Sequence, residues 1–121
     1  MRSKVLICDD EKDILQVVKI VLEKEGYEVA TESAVINAVE LVEKHRPDLI
    51  LMDIWIPEIG GSKAVKQLKS NPETAKVPVL LFSANNKIEN IAEDSGADGY
   101  ICKPFDVQDL VNGIAKAGVK V

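Results

Sequence analysis

The sequence predicts an α/β domain, an open parallel sheet with helices on both faces. Short apolar runs alternate with amphipathic stretches along all 121 residues. Several runs are apolar at successive positions, as expected of parallel strands covered on both sides. The resulting order, βαβαβαβαβα, belongs to a layered α/β architecture.

Each element has its own signal. Residues 5–8 (VLIC) form the first apolar run, too short for a helix. Residues 11–25 carry a broad apolar stripe and stop at Gly26. Residues 28–31 make the second strand. Val35, Ala38, Val39 and Val42 follow i, i+3, i+4, i+7 and predict the second helix. Pro47 precedes the third strand, residues 48–52. Ala64, Val65 and Leu68 mark the third helix, and Pro72 breaks the chain after Lys69. Pro78 opens the fourth strand, residues 79–82, where its missing N–H does little harm. Ile88, Ile91 and Ala92 mark the fourth helix, and Gly99–Cys102 is the fifth strand. Val107, Leu110, Val111 and Ile114 repeat the helical spacing, with Asp106 as N-cap and Asp109 three residues on.

Composition bounds the function. A chain of 121 residues fits one domain, and 46% apolar residues suffice for a core without disulfides or metals. The net charge of −5 argues against direct nucleic-acid binding through a broad basic surface. No leader-like or membrane-length apolar stretch occurs, so a cytoplasmic protein with no membrane partner is expected. Cys8 and Cys102 lie in apolar runs and read as small core residues. His45, the one histidine, stands where a cation caps a helix C-terminus. There is no internal repeat or linker. The last helix runs nearly to the final residue, so residues 1–121 are expected to form one domain without an output domain.

In such a sheet, ligands bind beyond the carboxyl ends of the strands. Asp9, Asp10 and Glu11 follow the first strand, and Glu32 and Ser33 the second. Asp53 ends the third, Ser83 the fourth, and Lys103 with Pro104 the fifth. Each has an ordinary alternative: Asp10 and Ser83 as helix caps, Asp53 as a turn residue, Lys103 as a solvated charge. Together on one rim they suggest chemistry. If the first and third strands are adjacent, about 4.8 Å apart, Asp9, Asp10 and Asp53 crowd together. Two such charges about 4 Å apart repel by roughly 4 kcal/mol at an effective dielectric near 20. Lys103 supplies one compensating charge, and a divalent cation supplies more. All-oxygen donors point to Mg2+ or Mn2+ rather than zinc.

The motifs "ICDDE", "LILMDIWIPEIGG", "LLFSA" and "GADGYICKPF", in this order, resemble the receiver domain of bacterial two-component response regulators. The likeness covers essentially the whole chain and is closest to single-domain, chemotaxis-regulator-like members. It implies a flavodoxin-like sheet of order 2-1-3-4-5. It implies that Asp53 accepts a phosphoryl group from a histidine kinase or histidine phosphotransfer protein, making the chain a signalling switch that catalyses only its own phosphorylation and dephosphorylation. Asp9, Asp10 and Asp53, with the backbone carbonyl of Trp55, match the Mg2+ site. Lys103 and Ser83 match the groups that contact the phosphoryl, and Tyr100 the aromatic that turns inward. The Lys103–Pro104 peptide matches one that is usually cis. The downstream partner is expected on the face of the fourth helix, fifth strand and fifth helix. In that sheet order the cysteines lie about 14 Å apart, too far for a disulfide.

The sequence departs from the family at Ile56, where methionine is common, and at Gly60, where aspartate is common. The resemblance implies that Trp55 and Asn85 occupy the two places that tune dephosphorylation in the family, and the bulky Trp55 is expected to shield the acyl phosphate. Three other readings compete with this one. A flavin or nucleotide binder needs a Gly- or Ser/Thr-rich loop after the first strand, where this chain has Asp-Asp-Glu. An aspartyl phosphatase has Asp-x-Asp on its first strand and a cap domain. A non-catalytic receiver-like binding module, acting only through protein contacts, is the remaining alternative.

Overall fold

The computed structural model describes residues 2–119. Its elements run β1 (Lys4–Cys8), α1 (Lys12–Lys24), β2 (Glu28–Glu32), α2 (Ala38–His45), β3 (Leu49–Asp53), α3 (Gly61–Ser70), β4 (Val79–Ser83), α4 (Ile88–Ser95), β5 (Gly99–Cys102) and α5 (Val107–Lys116). The five strands form one parallel sheet of order β2-β1-β3-β4-β5. Both the α/β class and this order agree with the sequence reading.

Successive strand residues point to opposite faces, and this splits the core in two. Leu6, Cys8, Ile50, Met52 and Leu81 meet Ala38, Ala64, Leu68, Ile88 and Ala92 from α2, α3 and α4. Val5, Ile7, Leu49, Leu51, Leu80 and Phe82 meet Val18, Leu22, Leu110 and Ile114 from α1 and α5. The central strands β3 and β4 are buried along their whole length. That is why they read as continuous apolar runs.

The edges explain where the sequence misleads. Cys102, expected in the core, is exposed, because it lies near the end of edge strand β5. Cys8 is buried, and burial pushes its thiol up. Both are free. Val35, expected in the second helix, lies outside it. α2 begins at Ala38, where Asn37 Oδ1 accepts the Glu40 N–H at 3.2 Å. Val35 is instead extended and buried, paired with Glu58: its N–H donates to the Pro57 carbonyl, and its carbonyl accepts from Ile59. One buried valine three residues before a helix mimics the helical spacing. Glu58 pairs there at φ +82°, a left-handed conformation costing a non-glycine residue about 1–2 kcal/mol.

Other punctuation falls as expected. Asp106 and Asp109 form a reciprocal capping box on α5. Near the amino ends of β4 and β5, Lys69 Nζ donates to the carbonyls of Ala75 and Val77, both at 3.0 Å, and to Asp98 Oδ2 at 2.7 Å. Asp98 Oδ2 also accepts the Val79 N–H at 2.8 Å. This network ties α3 to the loops that enter β4 and β5.

Candidate functional site

The carboxyl ends of β1, β3, β4 and β5 meet at one rim. Registers Cys8↔Met52, Asp53↔Phe82 and Phe82↔Ile101 align them. Asp53 is the last residue of β3, as the sequence suggests, so strand pairing fixes its backbone. Asp9 follows β1, and its N–H donates to the Glu32 carbonyl at 3.1 Å, which pins the start of the Asp9–Asp10 loop to β2.

Asp9, Asp10 and Asp53 each bring a carboxylate oxygen within 4.8 Å of the others. Asp9 and Asp53 are buried, while Asp10 faces solvent. Asp9 Oδ1 accepts the Glu11 N–H at 2.8 Å, and its Oδ2 accepts Lys103 Nζ at 2.8 Å. Lys103 Nζ also lies 3.6 Å from Asp53 Oδ1. The ammonium therefore sits between two acids and closer to Asp9.

The electrostatics follow from this crowding. Burial pushes the Asp53 carboxyl up to about 6; Lys103 opposes the rise, and Asp9 and Asp10 add to it. Asp53 is thus mostly, though not wholly, ionised at neutral pH. Burial alone would lower Lys103, but its hydrogen bond to Asp9 and the charges of Asp53 and Asp9 outweigh that and raise it. Three acids facing one lysine leave net negative charge in a poorly solvated place. Their donors are all oxygen, a set that fits a hard divalent cation. The Trp55 carbonyl, in the turn after β3, accepts no hydrogen bond from the described residues and is open as another oxygen donor.

Two glycines shape that turn into α3. Gly60 takes φ +81°. A Cβ on Gly61 would stand 2.3 Å from the Asp53 carbonyl oxygen, so only glycine lets α3 start this close to the strand end.

The remaining rim residues are spread more widely. Ser83 is buried at the end of β4, and its Oγ accepts the Asn85 N–H at 3.2 Å. Neither Ser83 nor Asp10 caps a helix: α4 starts after Lys87 and α1 after Glu11. Asn85 is half-buried, and its Oδ1 accepts the Lys87 N–H at 2.8 Å. Lys103 N–H donates to the Ser83 carbonyl at 3.0 Å, and the Lys103–Pro104 peptide is cis. Tyr100 is 42% exposed, and its ring is not turned into the core. It lines a groove of about 800 Å³ along β5 and α5, with Cys102, Pro104, Asn112 and Lys116. Trp55 is 68% exposed.

Two residues take roles the sequence did not suggest. His45 does lie in the last turn of α2, but its Nε2 lies 2.6 Å from Glu32 Oε2 rather than being spent on the helix end. Burial raises the Glu32 carboxyl, yet the hydrogen bonds from His45 and Lys44 outweigh this and lower it. That removes Glu32 from the set of free rim acids. Phe82 lies under Lys103, with Nζ 4.6 Å from its ring centroid. From sequence it is only one more apolar strand residue.

Comparison with known proteins points to one family. Residues 5–115 match the family model described as response regulator receiver domain. The chain is 36% identical over 110 residues to the DNA-binding dual master transcriptional regulator RpaA of Synechocystis sp., covering 89% of this chain and 46% of that protein. It is 37% identical over 115 residues to the transcriptional regulatory protein PdtaR of Mycobacterium tuberculosis, covering 94% and 56%. The chain thus spans about half the length of these curated relatives. The chemotaxis response regulator CheY4 of Vibrio cholerae superposes with a TM-score of 0.88 at 28% identity, covering 97% of this chain and 99% of that one.

Proposed function

This chain belongs to the response regulator receiver domain family, and from that premise we propose that it is a phosphorylation-dependent switch whose phosphoacceptor is Asp53. The convergence of Asp9, Asp10 and Asp53 oxygens within 4.8 Å, with Lys103 Nζ 2.8 Å and 3.6 Å from two of them, carries the reading. An Asp53 oxygen attacks the phosphorus of a phosphohistidine on a histidine kinase or phosphotransfer protein. The P–O bond forms as the P–N bond breaks, and the imidazole keeps the electron pair. Such transfers depend mainly on positioning and charge stabilisation. The strand end holds Asp53 still, and the lysine neutralises developing charge.

Asp9, Asp10 and Asp53, with the Trp55 carbonyl, would hold Mg2+ or Mn2+, which when bound neutralises phosphoryl oxygens and aligns them. Lys103 then turns from Asp9 toward the phosphoryl. The Ser83 oxygen accepts from Asn85, so its hydroxyl proton is free to donate to the same group. Closing of Ser83 draws Tyr100 inward, and the face of α4, β5 and α5 changes for a downstream protein partner. Residues 1–121 act as one receiver unit, in the cytoplasm; no helix among the described residues is long and apolar enough to cross a membrane.

The test is incubation with acetyl phosphate and Mg2+, then intact mass. The wild type gains one phosphoryl group and Asp53→Asn gains none. A wild type that gains none returns the chain to the binding-module reading.

A further inference from the structure

Lys103 makes a contact that the phosphorylation chemistry does not itself require. Its Nζ stands 4.6 Å from the centroid of the Phe82 ring. Strand register explains how the two meet. Phe82 is the register partner of Asp53 on one side and of Ile101 on the other. Lys103 follows Ile101 by two residues. To reach Asp53 and Asp9, its side chain must run back across β4, over Phe82. The ring is 1% exposed and stands against Phe105, centroids 6.2 Å apart and planes at 59°. It is a fixed surface.

We propose that Phe82 is a positioning residue for Lys103. Its ring face holds the ammonium beside Asp9 and within 3.6 Å of Asp53, so that only a short movement brings it to a phosphoryl oxygen on Asp53. This rests on Asp53 being the phosphoacceptor. Three properties of the pair carry the inference. A lysine stem is flexible and its ammonium is a point charge, so something must select one position among many. An aromatic face attracts a cation through its quadrupole, most strongly where water is excluded, and the Lys103 side chain is only 14% exposed. Unlike a fourth carboxylate, the ring adds no hydrogen-bond acceptor that would hold the lysine back from an arriving phosphoryl. An aliphatic side chain at position 82 would supply apolar packing without this attraction.

Two kinds of variant separate positioning from packing. Phe82→Leu removes the ring. Site-specific replacement of Phe82 by mono-, di- and trifluorophenylalanine keeps its shape while draining negative charge from its face. The Lys103 side-chain resonances are followed by NMR in the resting protein, and the rate of phosphoryl gain from acetyl phosphate and Mg2+ is measured by mass. The expected result is a graded shift of the Lys103 resonances along the fluorinated series. The rate should slow in parallel, by about 3- to 10-fold at the end, with Phe82→Leu at least as slow. Resonances and rates that stay flat across the fluorinated series overturn the proposal, even if Phe82→Leu is slow, since packing alone then explains the ring. If the wild type takes up no phosphoryl group, the phosphoacceptor reading fails by itself, and the Lys103 resonances alone decide whether Phe82 holds the ammonium.

Discussion

Asp53→Asn should make this protein more stable at neutral pH, and the gain should vanish in acid. The Asp53 side chain is 6% exposed and shares its site with Asp9 and Asp10. Its pKa is raised from 3.8 to about 6, first by burial, with the pull of Lys103 already included. A carboxyl that holds its proton more tightly when folded makes ionisation costly to the fold. That cost is absent below the unfolded value of 3.8, grows as pH rises, and is fully present above about 6. At 1.36 kcal/mol per pH unit the rise corresponds to about 3 kcal/mol; relaxation of the site should reduce the observed effect to about 1–3 kcal/mol. Asparagine has nearly the same shape and stands in for the neutral acid. Urea unfolding at pH 7.5 without divalent cations should therefore place the variant's midpoint about 1 M above wild type. At pH 4 the two curves should nearly coincide. Millimolar Mg2+ should stabilise the wild type more than the variant, because binding to the folded state adds to its stability. A variant no more stable at pH 7.5, or a gap of equal size at pH 4, would refute the reasoning.

Three other outcomes are expected. Trp55→Asn should shorten the lifetime of the phosphorylated protein after donor removal, by only a few-fold because the indole is largely exposed; an unchanged or longer lifetime contradicts shielding. Gly61→Ala sets a Cβ 2.3 Å from the Asp53 carbonyl oxygen, so it should cost about 1–3 kcal/mol in urea unfolding and also slow phosphoryl uptake by displacing the strand end. Lys69→Met leaves the Ala75 and Val77 carbonyls and Asp98 without their ammonium donor, so it should lower stability by about 2–3 kcal/mol while leaving the Asp53 site intact; a thermal midpoint equal to wild type would count against that network.

What the sequence determined by itself was the alternation of elements, the parallel sheet and the membership of the rim. Those follow from local pattern: continuous apolar runs mean strands buried on both faces, and polar residues just past them must lie at strand ends. The readings that failed concern residues whose surroundings come from distant parts of the chain. Cys102 has the same neighbours in sequence whether its strand is central or at an edge, and only sheet order leaves it exposed. Val35 fits helical spacing, yet pairing with Glu58 across the next loop makes it extended. His45, expected to cap the end of its helix, instead lies 2.6 Å from Glu32 on a neighbouring strand, a partner that helical position does not reveal. The raised Asp53 carboxyl and the ring beneath Lys103 were decided in the same way. Burial and the meeting of charges depend on which strands lie side by side, and chain order alone leaves that open.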